Sequence, residues 1–256
     1  MWRRLRIIVL LLILAFVALN TYFDRVNSTD WNMPLRVAVY PINGDGSDEA
    51  ERFLQKMAGD DFKALESFFE TQAGSYGVSM ERPVQFTLAS RLRDMPPALD
   101  RRSNLLARMF WSLRTRYWAW RTPDAPGPAP DVKLFVLYHD PARSPALPHS
   151  IGLQKGLFGI VNVFADRSML GSNDTIIAHE LLHTVGATDK YDPTTDQPVW
   201  PDGYADPQRE PRYPQRAAEL MGGRIPTSAS ESSTPESLRD VVVGAKTAAE
   251  IGWRKP

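Results

Sequence analysis

The chain has 256 residues, of which 43% are hydrophobic and 23% are charged, the composition of an ordinary globular domain with one sizeable core. Its 30 acidic and 30 basic side chains balance, so no global field favours nucleic acid and we expect no nucleic-acid partner. The sequence has no cysteine, which excludes disulfides and cysteine-bound metal sites.

The first 23 residues predict a membrane anchor. Arg3, Arg4 and Arg6 precede an apolar run at residues 7–19, which residues 20–23 extend to about 17 positions, near the lower limit for crossing a bilayer. No good small-x-small cleavage site follows, so we favour a retained transmembrane helix over a cleaved signal peptide. The arginines indicate a cytoplasmic N-terminus, and the rest of the chain would then be exported, as a periplasmic or extracytoplasmic domain or, after cleavage, as a secreted one.

Residues 24–33 are predicted to be a polar tether, and residues 34–256 a single α/β or α+β domain with a twisted mixed sheet. We expect strands at 35–42, 84–92, 132–138 and 157–164. We expect helices at 48–72, with a bend near 59–61, at 105–120, and at 234–251, where Thr234 would cap the last helix and Pro235 would take its first position. Residues 225–233 are predicted to be a serine-rich connector.

The helix at 105–120 carries an apolar stripe surrounded by arginines and tryptophans. The stripe consists of Leu106, Met109, Phe110, Leu113, Tyr117 and Trp120. We favour a helix that packs this stripe on the sheet while its arginines extend to solvent. The alternative is a helix that lies against a membrane surface.

The segment from 172 to 192 contains the pattern His-Glu-x-x-His. In a helix, His179 and His183 lie four residues apart on one face, so both can reach one metal ion while Glu180 points at the water that the ion carries. The context favours such a helix: residues 172–174 are good N-cap and first-turn residues, residues 176–177 and 181–182 are apolar, and Gly186 supplies a stop. The alternative is a core helix whose two histidines are merely hydrogen-bonded.

A catalytic zinc site needs a third protein ligand, and Asp189 is the best candidate. Gly186 can take positive φ, which lets the chain turn sharply and return residue 189 toward the metal. The extended pattern HExxHxxGxxD resembles the metzincin clan of zinc endopeptidases, in the variant with an aspartate third ligand found in snapalysin-type secreted proteases. This resemblance implies one catalytic Zn²⁺ held by His179, His183 and Asp189, with Glu180 as general base, in a metzincin-like zincin domain with an active-site helix and a C-terminal helix.

A second resemblance lies downstream. Residues 219–223, Glu-Leu-Met-Gly-Gly, are similar to the metzincin Met-turn, with Met221 as its methionine; the alternative is an ordinary turn around a buried methionine. Many metzincins place a tyrosine two residues after that methionine, where this chain has glycine. The tyrosine is therefore missing, or Tyr191, Tyr204 or Tyr213 supplies it.

Three further features bear on the site. By resemblance, residues 156–163 could be an exposed sheet edge that binds extended peptide, or else a fully paired strand. His139 and His149 could hold a second metal or touch substrate, although solvated loop histidines are favoured. Residues 192–216 are expected to form a wall of the cleft, and their aspartates (Asp192, Asp196, Asp202, Asp206) raise calcium binding, without support from any EF-hand spacing.

These features predict a membrane-tethered, exported zinc endopeptidase that cleaves peptide bonds with metal-activated water. Its partners would be a protein or peptide substrate and the membrane that holds its N-terminal helix. One alternative is a zinc amidase acting on cell-wall peptides; another is a non-catalytic exported binding protein with a retained zinc site. The oligomeric state has no signature in the sequence.

Overall fold

The computed structural model describes Arg6, Leu11 and residues 30–98, 104–154 and 156–254. Apart from Arg6 and Leu11, the predicted anchor at 1–23 lies outside the described residues, as do residues 24–29 of the predicted tether. Of the helices in the described part of the chain, none combines the length and apolar character needed to cross a bilayer.

A five-stranded mixed sheet forms the centre of the domain, as predicted. Its strands are β1 (Leu35–Asn43), β2 (Val84–Leu88), β3 (Val132–His139), β4 (Ile151–Leu153) and β5 (Phe158–Phe164), in the order β2-β1-β3-β5-β4. Strands β2, β1, β3 and β5 run parallel to one another, and β4 lies antiparallel to β5 at one edge of the sheet. Predicted strands at 35–42, 132–138 and 157–164 are confirmed to within one residue at either end, and the strand predicted at 84–92 stops at residue 88, with an isolated bridge between Leu92 and Ile42.

Helices cover both faces of the sheet, which explains why its inner strands are apolar on both sides. They are α1 (Asp48–Gln55), α2 (Lys63–Ser75), α3 (Leu105–Trp120) and α4 (Leu170–Thr184). Helices α1, α2 and α4 share one core with Val37 and Val39 of β1. On the opposite face, Ala38 and Tyr40 of the same strand pack with Ala119 of α3, as the two-residue period of a strand requires.

The helix predicted at 48–72 is interrupted at its expected bend. Ser47 caps α1 by accepting a hydrogen bond from the Ala50 N–H. A 3₁₀ turn at Gly59–Phe62 then separates α1 from α2, and the Asp61 carboxylate accepts a hydrogen bond from the Ala58 N–H. This local acceptor stabilises the turn and prevents one continuous helix.

The long C-terminal helix predicted at 234–251 is wrong. Strand β6 (Ala218–Glu219) is followed by a short hairpin, β7 (Ile225–Pro226) with β8 (Ser232–Ser233), where we expected a connector. A 3₁₀ turn (Leu238–Asp240) leads to β9 (Val241–Val242), which pairs in parallel with β6, and only then does α5 (Ala245–Glu250) begin, after Gly244. Three consecutive valines at 241–243 favour a strand because β-branched side chains pack well on a sheet, and Thr234 and Pro235 therefore start no helix.

Helix α3 has the predicted bounds, but the predicted packing of its apolar stripe on the sheet is wrong. The stripe faces solvent, and the opposite side of the helix, with Thr115 and Ala119 buried, packs on the sheet. The Trp118 ring lies 4.4 Å from the Phe135 ring, centroid to centroid. The sheet face already carries large aromatic side chains, so the side of the helix with small residues allows the closer approach.

Candidate metal centre

Helix α4 presents both histidines of the motif on one face. It begins at Leu170, two residues before the predicted start, so residues 172–174 lie inside the helix and do not cap it. Asn173 instead fastens the helix to β5, because its side chain donates to the Phe164 carbonyl (2.8 Å) and accepts from the Phe164 N–H (3.1 Å). The predicted stop is confirmed: Gly186 has φ of +107°, and its N–H donates to the His183 carbonyl.

The three predicted ligand residues meet at one point. The Nε2 atoms of His179 and His183 are 3.0 Å apart, and Asp189 Oδ1 lies 3.1 Å from each of them. Tetrahedral zinc with bonds of about 2.0–2.1 Å needs ligand atoms roughly 3.3 Å apart, so the spacing is close to that of a bound ion. In the described part of the chain, these residues are the one group of three or more side chains that could hold a metal.

The protonation of the histidines also favours a cation. His179 Nδ1 lies 2.9 Å from the Leu220 carbonyl oxygen, and His183 Nδ1 lies 2.9 Å from the Ala187 carbonyl oxygen. A carbonyl oxygen only accepts hydrogen bonds, so both Nδ1 atoms donate, and each Nε2 of the neutral ring presents a lone pair to the centre. Two lone pairs and a carboxylate oxygen converge there, and a positive charge between them removes their mutual repulsion.

The pKa values are perturbed in the direction that such a centre implies. Burial lowers the pKa of His179, but the hydrogen bond to Asp189 and the nearby charge of Glu180 outweigh it and raise the pKa overall. Burial raises the pKa of Asp189, but hydrogen bonds from the two histidines outweigh it and hold the pKa well below its ordinary value. The cluster therefore stabilises positive charge, carried either by protons or by a metal ion.

Glu180 lies beside this centre in a dry environment. Only 7% of its surface is exposed, and its Oε2 atom is buried without a hydrogen-bond partner among the described residues. Burial raises its pKa, and the two histidines oppose that rise. A desolvated carboxylate oxygen aimed at a reaction site is suited to taking a proton from water.

The segment that carries Asp189 is held from two sides. Glu250 of α5 accepts hydrogen bonds from the Thr188 N–H (3.0 Å), the Thr188 hydroxyl (2.9 Å) and the buried Lys190 ammonium (2.7 Å). The Lys190 N–H donates to the Met221 carbonyl (2.9 Å). Asp189 is half exposed, yet its backbone neighbours on both sides are fixed.

The turn at residues 219–223 connects the ligands. Leu220 and Met221 are fully buried, and the turn closes through hydrogen bonds from the Gly222 and Gly223 N–H groups to the Glu219 carbonyl. One carbonyl of the turn orients His179 and the next binds Lys190, so the predicted turn contacts both parts of the ligand set.

The Glu219 side chain, fully buried, stabilises this turn from inside. Its carboxylate accepts from the Gly222 N–H (2.8 Å), the Gly244 N–H (3.0 Å) and the Thr247 hydroxyl (2.6 Å). Burial raises its pKa, although these donors and Lys190 act in the opposite sense.

An open cavity of about 420 Å³ lies over the ligands. Strand β4 forms one side with Ile151 and Gly152, and Tyr191 lines the cavity beside Asp189. The Tyr191 ring lies 6.4 Å from the His179 ring, and burial, with the charges of Asp189 and Glu180, raises its pKa to about 12. A larger cavity of about 520 Å³ lies against α3, and among the described residues Asp94 is the one carboxylate that lines it, so those residues do not suggest a metal centre.

Of the three candidate tyrosines, the structure places Tyr191 at the centre. Tyr204 and Tyr213 bind each other through their hydroxyls (2.9 Å) and do not line the cavity. The expected wall from residues 192–216 is wrong, since none of these residues lines the cavity, whose lining after the histidine helix consists of Asp189 and Tyr191. The aspartates at 192, 196, 202 and 206 form no metal-binding group within the described chain; Asp192 and Asp206 accept local turn hydrogen bonds.

The predicted substrate edge at residues 156–163 is wrong for the start of β5, because Phe158–Ile160 pair with β4 while the whole strand pairs with β3 on its other side. It lies between β3 and β4, whereas β4 is the edge strand next to the cavity. His139 and His149 do not form a second metal group in the described chain: His139 is buried against Asn162 (2.9 Å), and His149 lines the cavity.

Sequence reasoning missed Gly152, Glu250 and the role of the Glu219 side chain. Each acts through a contact that is distant in sequence, and a single glycine or glutamate carries no periodic signal that would point to such a contact.

No protein-family model and no curated protein sequence matches this chain. The functional argument therefore depends on the geometry of the site.

Proposed function

We propose that this chain is a zinc-dependent endopeptidase with a metzincin-like active site. One observation carries the proposal: three acceptor atoms, His179 Nε2, His183 Nε2 and Asp189 Oδ1, converge at 3.0–3.1 Å beside the buried, unpartnered carboxylate oxygen of Glu180. Three protein ligands leave a fourth position open, which is the arrangement of catalytic zinc rather than of structural zinc.

The residues present fit a zinc ion, and each has a defined task. A zinc ion bound here would acidify water and polarise the scissile carbonyl. Glu180 would accept the proton of the attacking water and then donate it to the leaving amine, so no covalent intermediate with the protein is needed. Tyr191 lines the same cavity and could donate a hydrogen bond to the carbonyl oxygen as negative charge develops on it.

Strand β4 supports a peptide as the substrate. Within the described chain it pairs with β5 on one side and forms the sheet edge on the other, and Ile151 and Gly152 line the cavity. An extended peptide can add to such an edge through backbone hydrogen bonds, which would lay its scissile bond across the metal centre.

The proposal also includes a location. The arginines and the apolar run of residues 1–23 support a single membrane span with a cytoplasmic N-terminus and an exported catalytic domain. Protease protection of the full chain in sealed inner-membrane vesicles tests this: residues 30–256 should be protected in inside-out vesicles, and digestion there would contradict export.

The test of the activity is zinc content together with cleavage of a peptide library by the full chain in detergent. The native chain should hold one zinc ion, and Glu180→Gln should keep the zinc while losing about 10²–10⁴-fold in kcat. Asp189→Ala should weaken zinc binding by about 100-fold or more. Asp192→Ala, a nearby loop aspartate outside the ligand group, is the matched control and should change neither quantity.

Two results would contradict the proposed zinc-dependent mechanism. One is a native chain that holds no zinc after reloading; the other is a Glu180→Gln variant that cleaves at the native rate. Zinc binding without cleavage of any peptide would leave a metal-binding protein and remove the endopeptidase assignment.

A further inference from the structure

The outer face of α3 exposes a continuous apolar stripe. Its six side chains (Leu106, Met109, Phe110, Leu113, Tyr117, Trp120) are between 57% and 76% exposed. Seven of the twelve exposed large hydrophobic side chains in the described part of the chain lie on this helix, counting Leu105. The stripe runs for about 21 Å along the helix, from Leu106 to Trp120, and soluble proteins seldom leave a contiguous apolar patch of this kind without a function.

The stripe is held outward by the packing of the opposite side of the helix. Trp118 packs against Phe135, and the Trp111 indole N–H donates to the Pro97 carbonyl (2.8 Å). Thr115 and Ala119 are buried beneath the helix. Turning the stripe inward would require these contacts to be given up, so its exposure is a property of the fold.

The charged side chains of α3 itself are all basic, and the carboxylates of Asp94 and Asp131 line the two cavities beside the helix. The helix contains Arg108, Arg114 and Arg116 and no acidic residue, and Arg121 follows as its C-cap. All four arginines are exposed. At the C-terminal end, the Tyr117 and Trp120 rings lie 6.0 Å apart and the Arg121 guanidinium lies 5.7 Å from the Tyr117 centroid.

We propose that α3 docks the folded domain on the surface of an anionic lipid bilayer. The apolar stripe would enter the boundary between headgroups and acyl chains, the arginines would contact lipid phosphates, and Tyr117 and Trp120 would lie at the interface. This inference is independent of the metal centre and of the activity proposed for it.

Charge complementarity selects the bilayer over the other occupants. A second copy of the chain would bring two arginine-rich helices together around one two-fold axis. The apolar run at residues 7–19 of the same chain is another possible occupant, but Arg3, Arg4 and Arg6 precede it and would add positive charge beside the arginines of α3. An anionic bilayer supplies both parts, because its acyl chains form the apolar layer and its headgroups carry the opposite charge.

Docking through α3 would also orient the domain. Helix α3 packs on one face of the sheet and α4, which carries the histidines, packs on the other. The sheet would therefore lie between the bilayer and the metal-site helix.

The test uses the full chain and its lack of cysteine. Phe110→Cys and, as a control on a different exposed surface, Val199→Cys each create one labelling position for an environment-sensitive NBD fluorophore. The labelled chains are reconstituted into phosphatidylcholine vesicles with or without phosphatidylglycerol, and quenching by nitroxide-labelled lipid is measured. Flotation confirms that the chain is on the vesicles.

Quenching at position 110 should exceed that at position 199 by roughly fivefold in phosphatidylglycerol vesicles. Adding Arg114→Gln and Arg121→Gln should reduce the dependence on phosphatidylglycerol. Equal quenching at the two positions, or a chain that does not float, would overturn the proposal. An NBD signal at 110 that is buried without lipid would indicate a segment of the same chain, and one that changes with protein concentration and not with lipid would indicate a second copy; either result overturns the bilayer.

Discussion

Gly152 of β4 packs closely against helix α4, which carries His179 and His183, and replacing it with alanine tests whether that close approach matters. A Cβ atom at residue 152 would lie 2.5 Å from the Glu180 carbonyl oxygen and 2.5 Å from His183 Cβ. Ordinary contact begins at 3.4 Å, so each distance is 0.9 Å too short (3.4 − 2.5). Helix α4 is packed into the main core, whereas β4 is a three-residue strand at the edge of the sheet, so β4 is the element that should move.

The size of the effect follows from this displacement. Overpacking of this kind costs about 1–3 kcal/mol of folding stability. A shift of about 1 Å in the strand that positions the substrate should lower kcat/KM by about 10²-fold. Zinc content should stay unchanged, because His179, His183 and Asp189 lie on α4 and on the loop after it, and not on β4.

Gly159 provides the matched control because it pairs with Gly152 on the neighbouring strand. A Cβ atom there would meet the end of the Leu134 side chain at 2.9 Å rather than backbone, and its nearest backbone contact lies at 3.7 Å, so the obstruction is smaller than at residue 152. Peptide cleavage, urea denaturation and zinc content are measured for both variants. Native cleavage by Gly152→Ala, or an equal loss in Gly159→Ala, would refute the reasoning.

Other substitutions test the remaining parts of the site. Glu219→Ala should cost about 3–5 kcal/mol in urea denaturation, because three donors lose a buried acceptor, and should weaken zinc binding about 10–100-fold by disturbing the turn that orients His179; unchanged zinc affinity would contradict this role. Tyr191→Phe should lower kcat about 10–100-fold with full zinc content, and an unchanged kcat would exclude its hydroxyl from catalysis. Burial, with the charge of Asp61, raises the pKa of Asp174 to about 7, so the folded state binds the extra proton and stability falls as pH rises from about 4 to about 7. Asp174→Asn should therefore be more stable than the native chain by at most about 4 kcal/mol at pH 8 and show no gain at pH 3, as thermal denaturation would measure. Free zinc at 100 times its Kd should add about 2.7 kcal/mol of stability over the chelated protein, and an unchanged Tm would indicate that the folded chain binds no zinc.

The site was predictable where its chemistry is local in sequence. The four-residue spacing of His179 and His183 places both on one helical face, and Gly186 allows the turn that returns Asp189. These contacts span ten residues or fewer, so a single sequence contains them. Strand positions in the sheet centre were predictable for a similar reason, because runs of buried valine and aromatic residues are continuous in the sequence.

The orientation of α3 was not predictable in this way. The helix has apolar residues on two sides, and counting them favours the stripe that contains Phe110 and Leu113. The choice depends on the partner surface: the sheet presents Tyr40 and Phe135, and the side of α3 with Thr115 and Ala119 fits against them. The shape of the opposing surface, which the helix sequence does not contain, decides which side packs.

The prediction of a helix at residues 234–251 was wrong for a related reason. Residues 234–251 satisfy local helix signals at Thr234 and Pro235, but Val241 and Val242 find partners at Ala218 and Glu219, more than twenty residues earlier. Pairing with β6 stabilises the strand form and ends at Gly244, where α5 starts. Tertiary contacts of this length outweigh the modest differences in helix propensity.

The hydrogen bonds from Thr188 and Lys190 to Glu250 imply that the parts of the candidate metal centre form one after another. The histidine helix is synthesised first, but the residues on both sides of its third ligand are fixed by a carboxylate that follows them by 62 and 60 positions. Because a chain emerges from the ribosome from its N-terminus, the two histidines would be available before Asp189 is locked in place. Contacts of such long sequence separation also form slowly when the complete chain refolds. Refolding followed by tryptophan fluorescence and by a zinc indicator should therefore show zinc uptake lagging behind core formation. Glu250→Gln should lengthen that lag, and simultaneous signals in the native chain would show that the centre forms with the core.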